Sequence, residues 1–152
     1  PSLAKLGPEP TADDLSLDYM VTAFAKSKKP VKSFLLDQNQ IAGIGNIYAD
    51  EVLWQSKIHP ETPTNSLSRT VLAVLRQNII DEMARAIKHH GTTVHSFSNV
   101  FGDVGHFQNE LQAYGRVGQP CLRCGTTMSK IKVGQRGTTF CPFCQLKPNS
   151  VI

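Results

Sequence analysis

The sequence predicts a mainly α-helical protein that ends in a small, metal-pinned β-hairpin. Two observations carry this expectation. Apolar residues recur at three- and four-residue spacing between residues 17 and 87, and two Cys-x-x-Cys pairs bracket a basic, alternating segment at residues 121–145. The first pattern is the stripe of an amphipathic helix, and the second is the ligand spacing of a four-cysteine zinc site. A third observation bounds the class. No run of eighteen apolar residues occurs, and no basic start leads into an apolar stretch. Neither a membrane span nor a signal peptide is expected, and the default location is the cytoplasm.

"PSLAKLGPEPTADD" is rich in proline and small residues and reads as a linker, with residues 1–15 as its span. Leu17, Met20, Val21 and Phe24 then mark a first helix. "KSKKP" breaks it, and Pro30 opens a second with Val31, Phe34, Leu35 and Ile41 as its apolar face. "GIG" at 43–45 interrupts, and Asn46 starts and caps a third helix carrying Ile47, Val52, Leu53 and Trp54. After the polar connection "HPETPTNSLS", Ser66 or Ser68 caps the longest helix. Val71, Leu72, Leu75, Ile79, Met83 and Ile87 form its stripe, and Gly91 stops it. Residues 92–113 have no clear period, and a loop of that length is usually functional or disordered.

Charge is unevenly placed. The 152 residues net +4, but residues 1–120 net −1 and residues 121–152 net +5 with no acid at all. The cysteine module alone makes the protein basic, which suits a polyanion such as nucleic acid. Each Cys-x-x-Cys turn points two sulfurs at one centre, so Cys121, Cys124, Cys141 and Cys144 are expected to hold one Zn²⁺. With four thiolates the ion keeps no open position and is structural. Between the pairs, "MSKIKVGQRGTTF" alternates and turns at "GQRG", a two-stranded hairpin that zinc must pin. Arg136 sits at that turn, where a guanidinium can fork onto a phosphate or simply be solvated.

"GIGNIYADE" is the second candidate site. Tyr48 stands where a dinucleotide fingerprint would need its third glycine, so the segment reads as a helix–helix turn. The amides opening the next helix make an anion site, and the Asn46 side chain can donate to a phosphate. Asp50 and Glu51 read as first-turn acids that complement the helix dipole, and the five histidines as surface or loop residues.

"LLDQNQIAGIGNIYADEVLW", "FQNELQAYGRVGQPCLRCG" and "GQRGTTFCPFCQ", in this order, resemble the C-terminal half of bacterial formamidopyrimidine-DNA glycosylases. The resemblance covers essentially the whole chain. It implies a helix–two-turns–helix domain over residues 16–115, followed by a β-hairpin zinc finger over 116–152. The family removes oxidised purines, 8-oxoguanine and formamidopyrimidines, from DNA and cleaves the abasic strand by β,δ-elimination. Carried over, Asn46 matches its phosphate-binding asparagine and Arg136 its finger arginine, and Lys32 occupies a position near the DNA backbone. Residues 92–107, with Val94, His95, Ser96, Phe97 and Ser98 at their centre, match the loop that closes over the extruded base. The four cysteines match its zinc ligands.

The family's nucleophile is an N-terminal proline followed by glutamate. Here Pro1 is followed by Ser2, so the resemblance supplies no catalytic residue and implies a fragment inactive by itself. The implied partner is duplex DNA with a damaged or abasic nucleotide, met by a monomer in the bacterial cytoplasm. The competing expectations are a free-standing zinc-finger nucleic-acid module, a zinc-stabilised protein adaptor and an endonuclease VIII-type fragment.

Overall fold

The computed structural model describes residues 6–90 and 111–147. Four helices come first: α1 (Leu17–Ala25), α2 (Val31–Leu36), α3 (Asn46–Gln55) and α4 (Arg69–His90), with a 3₁₀ turn at Thr64–Ser66 before the last. Strands β1 (Ser129–Val133) and β2 (Arg136–Phe140) form one antiparallel hairpin with Val133 opposite Arg136. Helices followed by a two-stranded hairpin are the predicted fold class.

The helical core has the residues that the periodicity selects. Met20 and Phe24 of α1, Val31, Phe34 and Leu35 of α2, and Leu72, Leu75 and Ile79 of α4 are buried in one cluster. Ser16 caps α1 by accepting the Tyr19 amide at 3.0 Å. Ser68 does the same for α4 through Val71 at 3.2 Å. The stripe on α4 does not stay buried to its end, since Ile87 is exposed. Gly91 and residues 92–107 lie outside the described residues.

Part of the expected linker is instead bound to the helical domain. The Gly7 amide donates to the Gln38 carbonyl and the Ala42 amide to the Pro8 carbonyl, both at 2.9 Å. Leu15 is fully buried in the helical cluster, and Arg76 of α4 donates to the Leu15 and Ala12 carbonyls. A Cβ on Gly7 would sit 2.4 Å from the Gln40 carbonyl, so only glycine lets the chain run this close.

Helix α3 departs most from expectation. Its N-cap is Gly45, and Asn46 is the first helical residue with no capping bond from its side chain. Residues 49–54 are all buried, because α3 packs on α2 and α4 and also on β2. A helix covered on several sides shows no clean apolar stripe. The hairpin closes through Gly134 and Gln135, both at positive φ (56° and 68°), the geometry of a type I′ turn. Arg136 therefore opens β2 beside the turn rather than lying within it.

Candidate nucleic-acid interface and metal centre

The four cysteines converge. All their Sγ atoms lie within 4.8 Å of one another, with Cys121 4.0 Å from Cys144 and Cys124 3.5 Å from Cys141. A tetrahedral zinc with Zn–S bonds of about 2.3 Å needs sulfurs about 3.8 Å apart, far longer than a disulfide. The donor set therefore fits one structural Zn²⁺, and none of the four is in a disulfide.

Each knuckle is a tight turn. The Gly125 amide returns to the Cys121 carbonyl at 2.8 Å, and the Gln145 amide to the Cys141 carbonyl at 2.9 Å. Gly125 takes a positive φ of 83° to make the first turn. The sulfurs do not hold protons alike. Burial pushes the Cys141 thiol up to about 12. Burial opposes ionisation of Cys121 too, but the Arg123 and Cys124 amides and the Trp54 indole draw it down to about 6. A divalent cation at the centre is what makes all four thiolates together.

The module is locked onto α3 along the helix's length. At its start, Asn46 Nδ2 donates to the Gly137 carbonyl of β2 at 3.3 Å. One turn on, Asp50 Oδ2 accepts the Thr139 amide at 3.1 Å. Glu51 accepts three consecutive amides, Gln112, Ala113 and Tyr114, at 2.7–2.9 Å. At the end of α3, Trp54 joins Ala113, Met128, Cys121 and Cys141 in a second cluster. Gln145 adds a tie by donating to the Ile58 carbonyl at 3.0 Å.

These contacts correct the reading of Asp50 and Glu51 as first-turn acids that complement the helix dipole. Both are buried, and burial raises each carboxyl above its usual range, against the pull of Lys32 on Asp50 and of three amides on Glu51. Lys32 also lies elsewhere than the sequence suggests. It is 0% exposed, and its Nζ contacts Asp50 Oδ1 at 2.6 Å, Thr138 Oγ1 at 2.8 Å and the Gly137 carbonyl at 3.3 Å. Its ammonium is used inside the protein, holding β2 against α2 and α3, instead of reaching a surface phosphate. Burial lowers its proton affinity, Asp50 restores part of it, and Arg136 nearby lowers it again. His59, expected at the surface or in a loop, lies in the connection after α3 but is buried edge-on to Phe140, with ring centroids 4.8 Å apart.

Asn46 is joined to the hairpin one residue after Arg136. The carbonyl that Asn46 holds belongs to the residue after Arg136, whose own side chain is exposed. Beside them a cleft of about 300 Å³ is lined by Asn46, Tyr114, Lys130, Gly137 and Thr139, among others. No side chain caps α3 at this point, so the positive end of its dipole stays open. Asn46 Oδ1 is buried and has no hydrogen-bond partner among the described residues. The arrangement is a basic, donor-rich notch between a helix start and a hairpin, suited to an oxyanion. Val94, His95, Ser96, Phe97 and Ser98 lie outside the described residues.

A helical domain of this topology with a four-cysteine hairpin finger packed on its third helix defines a two-part class of protein. Residues 6–98 match the domain described as "Formamidopyrimidine-DNA glycosylase H2TH domain", and residues 118–146 match "Zinc finger found in FPG and IleRS". The chain belongs to the formamidopyrimidine-DNA glycosylase H2TH family. It is 66% identical over 143 residues to the formamidopyrimidine-DNA glycosylase of Lactiplantibacillus plantarum, covering 94% of this chain and 52% of that protein. The Streptococcus pneumoniae protein of the same name is 46% identical over 141 residues, covering 93% of this chain and 52% of that protein. The Lactococcus lactis Fpg structure with abasic-site DNA superposes with a TM-score of 0.86 at 46% identity, over 96% of this chain and 54% of that one. A MutM complex with carbocyclic 8-oxo-G DNA gives 0.85 at 46% identity, over 96% and 53%. The chain thus spans about half the length of the relatives it matches. Among the described residues no helix is long and apolar enough to cross a membrane.

Proposed function

We propose that this chain is the DNA-binding half of a base-excision repair glycosylase and AP lyase acting on oxidised purines. In this reading it grips the strand that carries the damaged nucleotide, as a single copy, in the bacterial cytoplasm. The observation that carries the reading is the hydrogen bond from Asn46, at the start of α3, to the Gly137 carbonyl, next in sequence to the exposed Arg136. Arg136 supplies the charge and a planar fork, and Asn46 supplies a neutral donor in register with the helix dipole. The second N–H of Asn46 Nδ2 is the one available to a phosphate, since the first is engaged by Gly137. The orphaned Oδ1 is an acceptor and takes a donor, not a phosphate oxygen. The structures of relatives bound to 8-oxo-G and abasic-site DNA support duplex DNA with a damaged or missing base as the partner. Residues 92–107 are proposed to close over the extruded base.

Salt titration of duplex binding tests this directly. With about three phosphates engaged, the log–log slope is near −3, a loss of roughly fortyfold between 50 and 200 mM salt. Arg136→Ala weakens binding and flattens the slope by about one. Asn46→Ala weakens binding with the slope nearly unchanged, because its contact is uncharged. Equal slopes for the wild type and Arg136→Ala would remove Arg136 from the phosphate.

The chain alone is expected neither to excise 8-oxoguanine nor to nick an abasic strand. That chemistry needs a positioned amine nucleophile and a carboxylic acid to move protons. The carboxylates of Asp50 and Glu51 are buried and committed to Lys32 and to backbone amides. Borohydride trapping on 8-oxoguanine and abasic duplexes, against a generic basic protein as control, reads the outcome. A fast stoichiometric crosslink would contradict it.

A further inference from the structure

We propose that Trp54 and Arg123 form one outer-sphere element of the zinc site, which tunes the thiolates and fastens the metal to α3. The proposal rests on the four-cysteine zinc centre described above. Trp54 lies on α3, outside both knuckles, yet its indole Nε1 is 3.3 Å from Cys121 Sγ. The ring is buried, and a buried indole N–H needs an acceptor. A neutral thiol is a poor acceptor, whereas a zinc-bound thiolate is a charge-assisted one. The geometry therefore suits the metallated state.

Arg123 completes the element from the other side. Its guanidinium carbon stands 4.0 Å over the Trp54 ring. Its Nε reaches Cys144 Sγ at 3.3 Å, and its Nη2 donates to the Trp54 carbonyl at 2.8 Å. One guanidinium thus contacts a ligand sulfur, the face of the residue that bonds a second ligand, and the backbone of α3. The remaining outer contacts are local to the knuckles. The Arg123 amide lies 3.4 Å from Cys121 Sγ, the Cys144 amide 3.3 Å from Cys141 Sγ, and the Thr126 hydroxyl 3.2 Å from Cys124 Sγ. Each of these lies within two or three residues of its sulfur. The Trp54 bond is different because it crosses 67 positions of sequence.

Four thiolates on Zn²⁺ leave a charge of −2, and a cation and a buried dipole aimed at the sulfurs offset it. Outer-sphere partners of this type typically set metal affinity by about 10–100-fold. Trp54 is also the only tryptophan in the chain, so its emission reports the site without a label.

The test is competition for zinc with a chromophoric chelator on the intact 152-residue chain. Trp54→Phe keeps an aromatic ring and removes only the N–H. It is expected to weaken zinc by about tenfold or more while the helical circular dichroism stays unchanged. Arg123→Met should do the same, and Arg123→Lys should not rescue it, because a point charge cannot make the forked contact. The double variant should lose less than the sum of the two single losses, since the residues act through one another. With Co²⁺ in place of zinc, the sulfur-to-metal charge-transfer band should move to longer wavelength in Trp54→Phe. A residue that merely packs would not shift it. Unchanged affinity and an unshifted band would overturn the proposal. If Trp54→Phe lost helical content, Arg123→Met would decide by the same two readings. Failure of the wild type to take up any zinc would instead sink the metal centre itself.

Discussion

Stripping the zinc with a strong chelator unfolds the finger and leaves the helices standing. Among the described residues, the helical cluster runs from Leu15 to Ile79 and contains no residue of the finger. The finger's own cluster is small: Trp54, Ala113, Cys121, Met128 and Cys141, of which two are metal ligands. A two-stranded hairpin does not stand alone in water, and structural zinc supplies on the order of 10–16 kcal/mol of apparent binding energy near neutral pH. Binding requires deprotonated thiols, so protons compete with the metal and its hold weakens as pH falls. Gently purified protein should carry one zinc per chain by elemental analysis. After chelation, far-ultraviolet circular dichroism should keep most of its helical signal, while the amides of β1 and β2 lose protection from hydrogen exchange. Protected hairpin amides in fully zinc-free protein would contradict this.

Asp50→Asn is expected to destabilise the protein by about 3–5 kcal/mol, the cost of leaving a buried charge without its partner. The stranded charge is the Lys32 ammonium, fully buried and left with neutral acceptors: Thr138 Oγ1, the Gly137 carbonyl and the single Asn oxygen, for which the Thr139 amide competes. Against a total stability of roughly 5–15 kcal/mol this is a large fraction. Lys32→Met should cost a similar amount by stranding the Asp50 carboxylate on the Thr139 amide. The double variant, Lys32→Met with Asp50→Asn, removes both charges and keeps an oxygen for Thr139. It should recover more than half of the single-variant loss, because an ion pair replaced whole is often nearly neutral. Urea unfolding of the four proteins measures the cycle. Strictly additive losses would mean that the two groups do not act as a pair. DNA affinity should fall with the single variants as well, since Lys32 holds the strand that presents Arg136.

The periodic helices and the metal ligands were legible in the sequence, because each is specified by local spacing. α1 and α4 each bury one stripe, and that stripe repeats at the helical period. Two Cys-x-x-Cys pairs at this separation specify a four-sulfur metal site by their own spacing. The dipole reading of Asp50 and Glu51 failed, and the burial of Lys32 was not legible, for the opposite reason. A polar side chain is taken as solvated unless a partner is visible, and their partners lie far along the chain. Thr138 is 106 positions from Lys32, and the amides held by Glu51 are 61–63 positions from it. The available signal was in "YADEVLW" itself: two acids within a short helix whose neighbours are nearly all apolar, with no polar face to sit on. Such acids are buried with partners. Trp54 is one of the apolar residues that mark the third helix in the sequence, but its bond to Cys121 is not foreseeable from a position 67 residues away. Asn46 was placed correctly at the start of α3, though as the first helical residue after Gly45 and not as the cap.

The most direct measurement is a crystal structure of this chain with a duplex containing one abasic nucleotide. The expected result is a phosphate next to the abasic position, bridged by Arg136 and Asn46. Its oxygens should lie roughly 2.7–3.2 Å from the guanidinium nitrogens and from Asn46 Nδ2, at the open end of α3. A duplex seated on another face, with both side chains left in solvent, would contradict the assignment of this notch as the DNA site.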